Sequence, residues 1–282
     1  MNRITFVILH YETINDTEQC LKSLEKFLTN KGVSIIVVDN GSNKGKLNNL
    51  KERYKDSESI IFLRSESNLG FAKGNNIGFK YAKNYLNPDF IILTNSDTVY
   101  EQDNFIEILE NSYQTNKFDV AGPKIISMAD GKNQNPVIKI YNSKEDVEKR
   151  LLKFKILMMF SYLNCDTKLK NYFSKGITEV GTDEETDDIQ LHGACLIFSK
   201  KYIDKYNGLY DKTFMYGEES ILKHIVDKNN MSMIYIDELM IYHKEGSATN
   251  SIYGKGVRKR QFYYKWNIEG CYHLKKLMEE KK

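Results

Sequence analysis

The chain carries only three prolines and one tryptophan in 282 residues, and its four cysteines never fall at close spacing. Cys20, Cys165, Cys195 and Cys271 form no CxxC pair and no zinc-type spacing, so neither a disulfide scaffold nor a structural zinc module is expected. Reduced thiols and a cytoplasmic location fit that pattern. No run of about 18 apolar residues occurs, which excludes an ordinary membrane-spanning helix. The greasiest stretch, Leu151–Leu163, is broken by Lys153 and Lys155. The apolar run Ile4–Leu9 is short and no small-residue cleavage site follows it, so a signal peptide is not expected. A net charge of +3, from 41 basic and 38 acidic residues, is too small an excess to call for nucleic acid. There is no P-loop, no GxGxxG fingerprint and no internal repeat, which argues against a P-loop nucleotidase and a Rossmann dehydrogenase. A nucleotidyltransferase is disfavoured too, because His10-Tyr-Glu-Thr-Ile14 after the first strand lacks glycine and basic residues.

With 41% hydrophobic residues the chain can bury a sizeable core. Apolar runs predict strands at Ile4–Leu9, Val33–Val38, Ile60–Leu63 and Phe90–Leu93. Helical periodicity predicts helices at Asn15–Leu28, Gly45–Tyr54, Phe71–Tyr85 and Asn104–Tyr113. Strands alternating with helices imply βαβ units, a mostly parallel sheet and loops gathered at one sheet edge. Later, Cys195–Phe198, Met233–Ile236 and Leu239–Tyr242 read as strands and Gly217–Asp227 as a helix. Residues 128–189 change character: polar at Asp130–Pro136, helical over Leu151–Phe173, acidic at Asp183–Asp188. They read as an insertion into one catalytic domain spanning 1–250, between a first half (1–127) and a second (190–250). The acidic stretch reads as a solvated loop. Residues 251–282 form a basic, aromatic, helical tail.

Four features could carry chemistry. Phe90–Leu93 empties into Asn95-Ser-Asp97, where a carboxylate at a strand tip needs a cation or a helix to cap. Val37–Asp39 ends before Gly41, placing a carboxylate at another strand tip; a simple Asx turn is the alternative. Asn68–Gly78 spaces glycines at 70, 74 and 78, either for close packing or to leave backbone N–H groups open to a phosphate. Glu218-Glu219 opens a helix, where two acids suit either catalysis or the helix dipole.

These motifs, taken in order, are similar to those of family 2 glycosyltransferases of the GT-A fold, and the chain resembles their bacterial rhamnosyltransferase-like branch. The resemblance covers most of 3–127 and 190–250. It rests on Ile8–Tyr11, Val38–Ser42, Asn68–Asn76, Thr94–Asp97, His192–Cys195, Tyr216–Glu219 and His243. It implies an α/β fold with a Rossmann-like, mostly parallel sheet flanked by helices, plus a helical insertion and tail. It implies an inverting, metal-assisted transfer from a nucleotide-diphosphate sugar to a glycan or lipid-linked acceptor in bacterial surface polysaccharide synthesis. By the same resemblance Asp39 contacts base or ribose, while Asp97 and His243 hold Mn²⁺ or Mg²⁺. His10, Tyr11, Asn68, Gly70, Lys73, Asn76, Asn95 and Ser96 complete the donor site, and His192 and Gly193 stand on the acceptor side. The catalytic base is Glu219 or Glu218, left open because the family pair Glu-Asp is here Glu-Glu. Asn95, in place of the first acid of the family's DxD motif, keeps a non-catalytic nucleotide-sugar-binding or scaffold protein as the alternative. The tail's aromatics and cations suit packing on the core first and peripheral contact with the inner membrane surface second; a homodimer is admitted.

Overall fold

The computed structural model describes residues 2–43, 45–138, 141–169, 189–244 and 256–280. Its centre is an eight-stranded sheet ordered β3-β2-β1-β4-β9-β6-β10-β5. Here β1 is Ile4–His10, β2 Val33–Asp39, β3 Ile60–Arg64, β4 Phe90–Asn95, β5 Thr98–Val99, β6 Val120–Ser127, β9 Cys195–Ser199 and β10 Met233–His243. A separate two-stranded ribbon joins β7 (Val137–Ile138) to β8 (Ile189–Gln190). The helices are α1 (Ile14–Leu24), α2 (Asn48–Arg53), α3 (Phe71–Tyr81), α4 (Phe105–Asn116), α5 (Lys144–Ser161), α6 (Lys200–Lys205), α7 (Glu218–Lys228) and α8 (Val257–Glu279).

The four early strands run parallel, as their apolar continuity predicts. Neighbouring residues of one strand belong to different cores. Phe6, Ile8, Ile35, Val37 and Ile92 pack with α1 and α4, whereas Val7, Ile36, Val38, Ile91 and Leu93 pack with α3, α6 and α7. The sheet is therefore covered on both faces. From β1 the chain winds outward through β2 and β3, then returns to place β4 on the other side of β1. That reversal opens a crevice at the strand ends, where open α/β sheets take ligands. The register pairs His10 with Asp39 and Leu9 with Asn95, so three strand tips lie level.

Three expectations need adjusting. Met233–Ile236 and Leu239–Tyr242 are one strand, β10, whose register against β6 shifts between Ile236 and Met240, around the polar Asp237-Glu238. The expected helix end Leu28 is a 3-10 turn (Glu25–Thr29), and Ala82–Leu86 is a π turn. The insertion's helix begins earlier than expected, at a capping box in which the Ser143 hydroxyl accepts from the Asp146 N–H and the Asp146 carboxylate accepts from the Ser143 N–H. Phe173 and the acidic Asp183–Asp188 stretch lie outside the described residues.

The insertion and the tail are packed together. Val147, Phe154 and Leu157 of α5 meet Tyr264, Cys271 and Leu274 of α8 and Ile221 of α7 in a third core. The Asp166 carboxylate, buried, accepts from Arg260 and from the Tyr264 hydroxyl. The aromatic face of the tail is thus an internal one. No helix among the described residues is long and apolar enough to cross a membrane.

Candidate active site

The turn after β4 is clamped before it delivers Asp97. The Thr98 hydroxyl donates to the Asn95 carbonyl at 2.9 Å, and the Asn95 N–H donates to Ala194 across the sheet at 2.9 Å. Asp97 caps no helix: β5 follows it, and α4 starts only at Phe105. Its carboxylate Oδ1 lies 3.2 Å from Nε2 of His243, the last residue of β10. The other ring nitrogen, Nδ1, donates to Gln134 Oε1 at 2.9 Å. A carboxylate oxygen and an imidazole nitrogen converging at this distance suit a shared cation. Their separation is close to the edge of a six-coordinate site, about 3.0 Å when metal–ligand bonds are about 2.1 Å. Oxygen and imidazole donors fit Mg²⁺ or Mn²⁺. No cluster of three His, Cys, Asp or Glu side chains that could hold a metal exists among the described residues. The remaining positions of such an ion belong to water and ligand.

Across from this pair, Tyr216 (φ 68°) and Gly217 (φ 91°) make two successive left-handed residues that turn the chain into α7. A non-glycine residue held there is strain that the surroundings must support. Support comes from α8: Gly270 approaches so closely that a Cβ on it would sit 2.7 Å from the Tyr216 carbonyl. The first two residues of α7 are Glu218 and Glu219. Glu218 is 4% exposed and accepts from the Thr213 hydroxyl at 3.1 Å. Burial pushes its carboxyl up to about 8, and the Glu219 charge adds to the effect. Burial raises the Glu219 carboxyl too, against hydrogen bonds from its own N–H and that of Gly193. His192 accepts the Ala194 N–H on Nδ1, which leaves its proton on Nε2. Burial foremost, then the neighbouring His243, holds its pKa down at about 4, so it is a neutral donor.

A cavity of about 390 Å³ joins these walls. Asp97, His243, Glu218 and Glu219 all line it, with the His192 ring 5.7 Å from that of His243 and Gly193 against the Glu219 carboxylate. Tyr11, Asn68, Gly70, Asn95 and Ser96 line it as well. The cavity thus brings together a carboxylate–imidazole pair, two buried carboxylates and a neutral imidazole donor.

A sequence model described as glycosyl transferase family 2 matches residues 5–167. The chain belongs to this family. It is 20% identical over 286 aligned positions to the low-salt glycan biosynthesis hexosyltransferase Agl10 of Haloferax volcanii, covering 93% of this chain and 80% of that protein. In three dimensions this family 2 chain is similar to S. aureus TarS 1-349, with a TM-score of 0.54 at 13% identity, over 86% of this chain. TarS structures in complex with UDP and with UDP-GlcNAc give the same score. The chain spans 60% of the length of those TarS chains. At such identity the likeness speaks for the fold, which is the expected mixed α/β sheet flanked by helices.

Several expected donor residues do not reach the cavity. Leu9 and Tyr11 line it, so His10 between them points to the opposite side of the sheet. It is fully buried, with Nδ1 2.6 Å from the Thr17 hydroxyl and Nε2 without a hydrogen-bond partner, and burial keeps its pKa near 4. Asn76 spends its whole amide on Leu209, donating to the carbonyl and accepting from the N–H, both at 2.7 Å. Lys73 sits on the exposed face of α3. Asp39 is buried beneath the strand tips, where it accepts from the Ser42 N–H and the Arg64 guanidinium. Nor is the glycine segment an open phosphate cradle. The N–H groups of Leu69, Gly70 and Phe71 go to Asn40, Asn68 and the Phe214 carbonyl. Gly70 is needed because a Cβ there would lie 2.1 Å from the Phe214 carbonyl oxygen.

Other residues enter the site without having been singled out. Asn40 lines the cavity and ties Asn68 to Gly70. Its signal was present, inside the Val38–Ser42 motif. Gln134, which orients His243, had none. Phe214 and Phe262 add an aromatic wall, with Phe214 stacked on Trp266 at 4.4 Å between centroids. Phe262 and Trp266 come from α8, so the tail contributes to the cavity.

Proposed function

We propose that the protein transfers a sugar from a nucleotide-diphosphate donor to a hydroxyl of a glycan or lipid-linked acceptor, with inversion at the anomeric carbon. The observation that carries this reading is that Asp97, His243 and Glu219 line one common cavity. Glu219 is the base. Its carboxylate packs against the Gly193 backbone at the cavity, whereas Glu218 is pinned by the Thr213 hydroxyl. The acceptor oxygen gives its proton to Glu219 and bonds to the anomeric carbon. The bond from that carbon to the diphosphate oxygen breaks, and the nucleoside diphosphate leaves with the electron pair. His192, neutral with its proton on Nε2, orients an oxygen of donor or acceptor. Asp97 and His243 hold a Mn²⁺ or Mg²⁺ ion, which when bound neutralises charge on the leaving diphosphate.

The nucleotide-sugar class is supported by family membership and by the UDP and UDP-GlcNAc complexes of the similar TarS fold. A hexose or deoxyhexose, the latter by the rhamnosyltransferase-like motifs, is the sugar class, and a surface polysaccharide is the product. A thermal-shift screen of uridine and deoxythymidine diphosphate sugars with Mn²⁺ identifies the donor, and donor turnover then tests catalysis. Glu219→Gln should lower turnover by roughly 10² to 10⁴ while donor binding persists. Donor binding without turnover in the wild-type protein would support a non-catalytic binding protein instead.

A further inference from the structure

Helix α5 is apolar on two sides, and among the described residues only one of them is covered. Val147, Leu151, Phe154 and Leu157 face α7 and α8. On the outer side Leu152 and Met159 are each 59% exposed, and Tyr162 and Leu163, just past the helix end, are 73% and 72% exposed. A soluble helix normally turns a polar face to water. Seven large hydrophobic side chains among the described residues are about half exposed or more. Four are these, and a fifth is Tyr272 of α8, whose ring lies 4.9 Å from the Lys155 ammonium. The spacing 152, 159, 163 repeats at two turns and one turn, which makes a stripe roughly 16 Å long at 1.5 Å per residue.

Charge says what covers it. From Lys149 to Cys165 there is no acidic residue, and Lys149 and Lys155 are exposed beside the stripe, while Arg150 lies over the Tyr141 and Phe154 rings on the covered side. Two copies of this chain meeting here about a two-fold axis would set Lys149 and Lys155 of one beside those of the other, while Glu148, one turn before Leu152, is already paired with Lys275. An anionic surface suits the same pattern: apolar side chains enter the headgroup boundary, a tyrosine sits at its level, and lysines meet phosphates. We infer that the outer face of α5, with Tyr162 and Leu163, docks this protein onto the surface of an anionic lipid bilayer. The same helix packs along α8, which carries Phe262 into the cavity, so docking at α5 places the catalytic body beside a lipid-borne substrate.

The experiment is co-sedimentation of the full-length protein with vesicles of phosphatidylcholine alone or with about one third phosphatidylglycerol. The wild-type protein should pellet with the anionic vesicles at low salt, not with the neutral ones, and should be released as salt is raised. Met159→Ser with Leu163→Ser should abolish pelleting while Tm and turnover of a soluble acceptor stay unchanged, since both side chains are already in water. Lys149→Gln with Lys155→Gln should weaken partitioning roughly 30-fold, each cation near an anionic leaflet being worth about a factor of five. Absence of pelleting at low salt, or unaltered pelleting of the Met159/Leu163 variant, would overturn the inference. So would a lipid-free dimer, seen by sedimentation velocity, that the Met159/Leu163 substitutions dissociate. Because vesicle binding needs no donor, its failure leaves the catalytic reading standing, and loss of turnover leaves the docking reading standing.

Discussion

The Glu219 carboxylate packs so closely on the Gly193 backbone that a Cβ at position 193 would lie 2.6 Å from Glu219 Oε1. Position 193 must therefore be glycine for the Glu219 carboxylate, the proposed base, to sit where it does. Gly193→Ala should displace that carboxylate and lower turnover about 10²-fold, the scale expected for a shift of about 1 Å at a reacting group. Donor affinity should hardly change. Steady-state kinetics beside a donor thermal shift checks this, and wild-type turnover would show that Glu219 is not positioned through Gly193.

Glu218 gives a signed pH effect. An unfolded chain ionises it near 4.5, whereas the folded protein keeps its proton up to about 8. Between those values the native state binds a proton that the unfolded state lacks, so stability falls as pH rises and levels off above about 8. Histidines 10 and 192 act in the other direction but only below about 6.5, where the unfolded chain takes up protons that the native state refuses. From pH 6.5 to 8.5 the coupled pair Glu218 and Glu219, both raised by burial, therefore stands clear of them. Glu218→Gln should flatten the decline of Tm over that range and retain transfer activity. Parallel Tm curves for variant and wild type would contradict the assignment.

The cation seat can be tested without chemistry. Titration of Mn²⁺ into donor-free protein, followed by electron paramagnetic resonance, should show binding that Asp97→Ala removes and His243→Ala weakens. Gln134→Leu leaves both ligands in place but frees the imidazole, and should weaken binding about tenfold or more, as loss of a partner that orients a ligand does. In transfer assays Asp97→Ala should cost roughly 10³ in turnover, about 4 kcal/mol of barrier. Mn²⁺ binding by Asp97→Ala equal to that of the wild type would refute the seat.

Asn76 acts in the scaffold instead of the donor site. Asn76→Ala leaves the Leu209 N–H and carbonyl buried without partners and should destabilise the fold by about 2–4 kcal/mol in urea unfolding. Donor affinity of the folded fraction should be unchanged. A stable variant with weakened donor binding would return Asn76 to the site.

The parallel strands were legible because each is a short apolar run buried on both faces, and the acidic tips of β4 and α7 stood out against those runs. The two halves of β10 read as separate strands because Asp237-Glu238 interrupts the apolar pattern, though the backbone continues through an irregular register. His10 was misplaced because a motif records which residues are adjacent and not which side of the sheet each faces. The alternation that sends Leu9 and Tyr11 into the cavity sends His10 away from it. Gln134 and Phe262 could not be found by local pattern at all. Each reaches the site by long-range packing, Gln134 beside β6 through its N–H on the Ile125 carbonyl and Phe262 from a helix starting after Gly256.

Phe262 also bears on how the enzyme is born. When a ribosome has finished His243, it has made both glutamates, Asp97 and the glycine between them, yet the aromatic wall on α8 does not exist. Gly270 has not arrived to brace Tyr216 and Gly217 either. A nascent chain therefore acquires a complete cavity only after its last long helix has emerged and docked, which delays competence until synthesis has passed the whole catalytic sheet.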